Sequence, residues 1–391
     1  MKKQLLAIAG AGLIFCANTS FAKSTIGGII FTNSFYESND IGNTTLDRTV
    51  VDLANNSRLR VRWTNEDNVG MYIETGMGDS VAIRHAFGTW DINEQWQILA
   101  GQTSTPFAPL NPDVAMVNNS GQSVGNVSPG RQSQVRFTYR LQNRKGAFAF
   151  AFLDPNTGDT LVDNTNTQNN FRTPIGIKSS VFPRIDVGGA YRTFNWQLFP
   201  GAFVHHQTYD QVSSNVVDDK LTIWGASLGL RRGFGSWVIA AEYGIGENWG
   251  NTEMSQRGSP AGNNAGAIVF ANSNGSLGIA DSTNQNYWID LGYRFTAGQS
   301  QGIIHFIAGQ STSEVDDLGD DYSSSMLGIS APIDLPWIAR GFRIRPEIFY
   351  FDNGSDNVIS FADASNPAIR NVIEIDSGSR TIIGVQLQYT F

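Results

Sequence analysis

The chain has 391 residues, a formal net charge of -8 and a mean hydropathy of -0.20, an acidic balance that argues against a nucleic-acid partner, whose phosphates need a basic surface. Its single cysteine, Cys16, lies near the N-terminus, so the rest of the chain has no thiol for a disulfide, a metal or nucleophilic catalysis. No segment approaches the roughly 20 apolar residues that a spanning helix needs, which excludes a helical membrane protein.

Lys2 and Lys3 precede an apolar run from Leu5 to Phe15, and Ser20-Phe21-Ala22 places small residues at the two positions a signal peptidase reads. Residues 1–22 therefore read as a cleaved signal peptide, and 23–391 as one mature domain without linker or internal repeat. Losing Lys2 and Lys3, and no acid, takes the net charge from -8 to -10. Phe15 is too bulky before Cys16 for a lipoprotein site.

From there the dominant signal is alternation with a period of two, in segments of about ten residues bounded by turn residues. Leu59, Val61 and Trp63 alternate with Arg58, Arg60 and Arg62. Val135, Phe137 and Tyr139 alternate with Gln134, Arg136, Thr138 and Arg140, and Phe148, Phe150 and Phe152 with alanines. Ile289, Leu291, Tyr293 and Phe295 interleave with Asp290, Gly292 and Arg294, then Ile344, Pro346, Ile348 and Tyr350 with Arg343, Arg345 and Glu347. The chain closes on Ile383, Val385, Leu387, Tyr389 and Phe391, a pattern that resembles the assembly signal of bacterial outer-membrane barrels. One greasy and one wet face, with Trp96, Trp196, Trp237 and Tyr389 at strand ends, predicts an all-β transmembrane antiparallel β-barrel with aromatic girdles.

A first count gives seventeen strands, but both termini on one side of a membrane require an even number. Long segments 36–55, 104–130, 154–170, 207–218, 248–284, 314–320 and 353–378 fall on one rim, and short turns near 233–235, 297–301 and 332–341 on the other. The two registers agree if 171–183, with Pro174 and Pro183, extends an outer loop and the next strand starts near Arg184. About sixteen strands result, at roughly 23 residues per strand and connection, a size that leaves an open lumen.

The apolar sets face lipid, so the alternate sets line the lumen: Arg58, Arg60, Arg62, Arg84, Arg136, Arg140, Arg192, Arg231, Arg294, Arg343 and Arg345, against the fewer acids Glu74, Asp186, Glu242, Asp290 and Glu347. Such a wall favours anions, though these arginines could equally pair with wall acids and serve only the barrel. Segment 104–130, with Val114, Met116 and Val117 among Pro, Asn, Gly and Ser, is the candidate for an inward-folded third outer loop, its Asp113 facing the arginines across a constriction. The expected pore-lining and selectivity residues are Arg58, Arg60, Arg62, Arg84, Asp113, Arg136, Arg140, Arg343 and Arg345.

The segments "SRLRVRWTNEDNVGMYIETGMGD", "IRHAFGTW" and "ILAGQTSTPFAPLNPDV", with Pro183-Arg184-Ile185-Asp186 opening a later strand, resemble the second to fifth strands, constriction loop and eighth strand of trimeric outer-membrane porins of the DcaP-like group. The resemblance implies a sixteen-stranded homotrimer in the outer membrane, in contact with lipid and lipopolysaccharide. It also implies passive uptake of small, often anionic organic solutes, with Arg58, Arg60, Arg62, Arg84 and Arg136 on the basic side of the pore. Some members carry a coiled-coil extension before the barrel, whereas here the first strand begins almost at the leader.

No catalysis and no cofactor are expected. His85, His205, His206 and His305 come without a Gly-x-Ser-x-Gly elbow, and adjacent His205 and His206 point to opposite faces of a strand, so they cannot share a metal. Asp316, Asp317, Asp320 and Asp321 lack the spacing of a calcium loop and read as a solvated outer loop or a lipopolysaccharide-bridging cluster. The alternatives are a plugged or narrow barrel acting as a lipase- or protease-type enzyme, or an adhesin or receptor using 248–284 and 353–378.

Overall fold

The computed structural model describes residues 23–41, 44–78, 81–112, 124–154, 160–163, 173–210, 220–249, 268–271, 277–315, 320–352, 354–361, 370–376 and 378–391. Sixteen antiparallel wall strands run through them. They are β1 (Lys23–Ile41), β2 (in two pieces, Thr44–Leu53 and Arg58–Thr64), β3 (Val69–Met77), β4 (Val81–Asp91), β5 (Trp96–Ser104), β6 (Arg131–Arg140), β7 (Gly146–Leu153) and β8 (Arg184–Thr193). There follow β9 (Trp196–Asp210), β10 (Lys220–Phe234), β11 (Trp237–Glu247), β12 (Ser282–Ala297), β13 (Ser300–Val315), β14 (Asp320–Ser330), β15 (Phe342–Asp352) and β16 (Ser379–Thr390). Each pairs with the next, and β1 pairs with β16 from Ile29↔Thr390 to Asp40↔Ser379. Closure leaves no sheet edge, which is what a sheet immersed in lipid requires.

Alternation sets the two faces. Phe148, Phe150, Phe152, Ile289, Tyr293, Ile348, Tyr350, Ile383, Val385 and Leu387 are exposed on the outer surface, whereas Asp186, Glu242, Asp290, Glu347 and Gln386 on the intervening positions are buried toward the lumen. At the short-turn rim the outer aromatics pair across strands: Trp96 with Tyr139 at 5.0 Å between ring centres, and Trp237 with Tyr293 at 4.9 Å. Phe391 continues β16; its amide and carbonyl bond the carbonyl and amide of Gly28, and its ring lies over the space that a side chain at Gly28 would fill.

Two expectations are corrected. Residues 36–55 are mostly strand, not loop: β1 continues to Ile41 and β2 starts at Thr44, held by cross-strand polar bonds that the Asn-, Asp- and Thr-rich composition disguised, Arg48 to Glu37 and Thr45 to Asp40. The break in β2 falls instead at 54–57, where Ser57 both accepts from the Phe31 amide and donates to the Phe31 carbonyl. Residues 171–183 are not all loop, because Thr173–Ser179 pairs with Thr160–Asp163 as a hairpin and touches the end of β9 through Ile177↔Asp210. This hairpin adds no wall strand, and the count stays at sixteen. Ile268–Ala271 with Leu277–Ala280, and Ser355–Phe361 with Arg370–Asp376, form two more hairpins at the long-loop rim.

The core of this barrel lies where loops enter the lumen. Phe107 and Ala108 pack with Val127, Phe203, Leu221, Ile223 and Trp249, while Val124 packs with Phe35, Ile307, Met326, Phe349, Phe351 and Ile382. The wall residues in both sets lie opposite in parity to exposed Val204, Trp224, Phe306, Leu327 and Tyr350, so the loop flanks 105–112 and 124–130 run along the inner wall.

Candidate functional site

The inner wall over β2–β4 is built around one carboxylate. Register puts Arg60 opposite Glu74 and Arg62 opposite Tyr72, on one face, so charges separated by a single residue in sequence converge in space. Arg60 Nε and Arg84 Nε each donate to Glu74 at 2.8 Å, Arg58 lies at 3.6 Å, and the Tyr72 hydroxyl donates at 2.9 Å. A bulge between Glu74 and Thr75 in the β3–β4 ladder turns both Arg84 and its neighbour His85 inward, as β-bulges do when they re-aim a side chain. His85 bonds Thr103 through Nδ1 at 2.8 Å and accepts Arg131 Nε at Nε2 at 3.0 Å.

The electrostatic result follows from exposure. The Glu74 side chain is 3% exposed, whereas those of Arg58, Arg60 and Arg84 are 21, 36 and 18% exposed. Three guanidinium groups share one carboxylate and stand between it and the lumen, leaving positive charge on the wetted side. Arg136 adds to this arc from β6 and donates to the Ser104 carbonyl at 3.3 Å, and Arg62 lies over the Tyr72 ring at 5.6 Å.

Opposite by strand count, β8–β13 receive the loop. Arg184 and Asp186 form a buried fork, 2.7 and 3.0 Å; the Arg184 guanidinium sits 4.1 Å over the Phe203 ring, and Phe107 from the loop meets the same ring edge-on at 4.9 Å. The backbone passes so close at Gly188 and Gly309 that any side chain there would overlap the Pro106 and Val124 carbonyls. The Gly125 amide donates to Ser311 Oγ at 2.9 Å, and Asn286 donates to the Asn126 carbonyl at 3.2 Å.

Of the remaining expected residues, Arg140 reaches the inner wall near the short-turn rim and pairs with Asp91 at 2.7 Å; Arg343 pairs with Asp334 at 2.7 Å, and Arg345 is buried above it. Asp113 lies outside the described residues, as do Val114, Met116 and Val117. Asp316 and Asp317 do too, and the side chains of Asp320 and Asp321 are not described.

Four residues escaped the sequence reading. Glu37 binds Arg48 at 2.6 Å and approaches Arg380, which lies 4.4 Å over the Phe351 ring. Trp249, just past β11, enters the lumen and donates Nε1 to the Trp224 carbonyl at 2.9 Å; a tryptophan after an Asn in a long loop carries no periodicity that would mark it as inward.

His205 points inward and His206 outward, where it meets Thr222 at 3.2 Å. Asp290 bonds His305 Nδ1 at 2.8 Å, and Ser330 lies opposite His305 in register, but its hydroxyl donates to Glu347 at 2.7 Å. That hydroxyl faces a carboxylate, so the row does not have the geometry of an activated serine.

No protein-family model matches this chain, and no curated protein matches it in sequence. Solved structures of outer-membrane channels and porins do match in shape: the chain has the fold of the outer-membrane porins, with an outward apolar band. The outer membrane channel DcaP of Acinetobacter baumannii superposes with a TM-score of 0.63 at 16% identity, over 96% of this chain and 99% of that one. An anion-selective porin from Comamonas acidovorans gives 0.56 at 14% identity, over 95 and 100%. OmpT of Vibrio cholerae, in its trimer form, gives 0.54 at 13%, over 95 and 100%.

Proposed function

We propose that this chain is an outer-membrane channel for passive diffusion of small polar solutes, preferring small organic anions such as carboxylates. The observation that carries the reading is the fan of Arg58, Arg60 and Arg84 over an almost inaccessible Glu74. Solutes on the wetted side meet guanidinium groups, and in a lumen with low-dielectric walls such a patch raises the local concentration of anions. The selectivity set is Arg58, Arg60, Arg62, Arg84 and Arg136, with Arg140, Arg343 and Arg345 further along the wall and Asp113 on the loop. The likeness to an anion-selective porin supports the same sign.

The barrel acts as a homotrimer embedded in phospholipid and lipopolysaccharide. On the outer face of β1, Thr32 and Ser34 stand level with Leu387 and Val385 of β16, a small polar patch inside a greasy band that suits a second copy of the chain better than acyl chains. The trimer form of one structural neighbour is in keeping with this. Liposome swelling with charged solutes of matched size tests the reading: faster entry of a small carboxylate than of an amine of equal mass is expected, and equal or reversed rates would contradict it.

A further inference from the structure

On the outer face of β6–β9 large and small side chains meet unevenly. Tyr139, Phe148 and Phe150 on β6 and β7 stand beside Val187, Pro200 and Ala202 on β8 and β9, and the step between them leaves a hollow of about 520 Å³. Register explains the step. Phe150 and Ala202 both face Val187 across their ladders, and Phe148 faces Gly189, where a Cβ would stand 2.5 Å from the Phe148 ring. Phe148, Phe150 and Val187 are exposed, so the hollow opens outward, into the hydrocarbon of a membrane.

A cation marks the rim end of this hollow. Along the outer face of β9 the side chains run Ala202, Pro200, Leu198 and Trp196 toward the short turns, and Trp196 lies opposite Arg232 of β10. Arg232 shares its face with exposed Trp224, Leu228 and Phe234, and its guanidinium lies 5.1 Å over the Trp196 ring. Among the described residues no acid pairs with it, and its Nε has no hydrogen-bond partner. The neighbouring short turns add exposed Arg144 and Lys145 against one acid, Glu94. An arginine on the lipid face is tolerated near the interface, where its head reaches phosphate level, and not at mid-depth. From Trp196 to Pro200 is about 14 Å of strand, within the ~15 Å that one leaflet gives to a hydrocarbon core about 30 Å thick.

We infer that this face seats one phospholipid of the periplasmic leaflet, with Arg232 and Trp196 holding its phosphate and one acyl chain running past Leu198 into the hollow. The short turns mark the periplasmic side of such a barrel. A guanidinium fork suits the two free oxygens of a phosphodiester, and its uncompensated charge favours a headgroup of net negative charge over a zwitterionic one. A second copy of the chain is the rival occupant, but the polar patch proposed for that contact is on β1, nearly half the ring of sixteen strands away from β8. The inference takes from the reading above only that the barrel stands in a membrane, and is independent of what the lumen passes.

The test uses the refolded full chain in detergent micelles, with native mass spectrometry reading the bound lipid and with phosphatidylglycerol and phosphatidylcholine of the same chains as probes. One phosphatidylglycerol per chain is expected to survive activation that strips phosphatidylcholine. Arg232→Gln should lower the retained phosphatidylglycerol at least fivefold and abolish the difference between the two lipids. Ala202→Trp, which fills the hollow and leaves Arg232 in place, should lower retention of both, and Leu327→Trp, on the outer face of β14, should change neither. Heat-dependent gel mobility checks that each variant is folded. Should Ala202→Trp not fold, competition decides: phosphatidylglycerol with hexanoyl chains, which stop short of the hollow, should fail to displace the long-chain lipid. Equal retention of the two lipids by the parent, retention indifferent to Arg232→Gln, or displacement by the hexanoyl lipid or by free glycerol phosphate overturns the seat. So do lipid-free oligomers that Ala202→Trp abolishes, which would give the hollow to a second copy. Cation preference of the parent in a KCl gradient would remove the channel reading and leave this lipid count untouched.

Discussion

Glu74 holds three guanidinium groups on a carboxylate that water scarcely reaches, so replacing it leaves those charges facing one another. Glu74→Gln should lower barrel stability by ~1–3 kcal/mol, since charge-assisted bonds to a buried acceptor are lost, and should move the reversal potential further toward anions; urea unfolding and a KCl gradient read the two effects. Arg60→Gln together with Arg84→Gln should shift selectivity the other way while leaving Glu74 bonded by Tyr72 and Arg58. Much of this site was legible in the sequence, because an arginine at every second position of a strand can only mean a charged face opposite a greasy one. The bulge was not: simple alternation sends either Arg84 or His85 outward, and only the slipped register between Glu74 and Thr75 brings both inside. Arg48 and Arg380 stayed hidden because their strand ends are written in Asn, Asp, Ser and Thr, the alphabet of loops.

The loop that enters the lumen is seated by the absence of side chains on the wall. At Gly188 and Gly309 the loop carbonyls occupy the volume a Cβ would need, so Gly309→Val or Gly188→Val should cost ~1–3 kcal/mol by overpacking or push the loop off the wall. Deleting 108–125 should raise single-channel conductance; unchanged conductance would mean that the loop does not narrow the lumen. Another element-scale contact closes the barrel. Gly28→Leu should collide with the Phe391 ring and the Arg58 carbonyl, slowing assembly, as a gel shift between heated and unheated samples would reveal. Strand number was readable from parity, because a membrane barrel admits few alternatives, although Pro174 lies in a paired strand and not in a loop. The strands' reach beyond the bilayer was not, since there both faces are wet and alternation fades, as in 36–55 and in the hairpin Thr160–Asp163 with Thr173–Ser179.

At the scale of the molecule, the outer surface sorts into an apolar band, an aromatic girdle near the short turns and a small polar patch on β1, while the lumen sorts into a basic arc over β2–β6 and a loop-covered wall over β8–β13. This division explains how an acidic protein can present a basic pathway: the wall acids Glu74, Asp186, Glu242 and Glu347 are buried against partners, and the guanidinium groups are what the lumen sees. Cross-linking in mild detergent should trap three copies, and Thr32→Leu with Ser34→Leu, which extends the greasy band, should weaken that assembly. The most direct test of the central claim is the reversal potential of the refolded protein across a planar bilayer under a KCl gradient. A potential of the sign set by chloride, reduced by Arg60→Gln with Arg84→Gln, is the predicted result; a potential set by potassium, or one indifferent to those arginines, would contradict it.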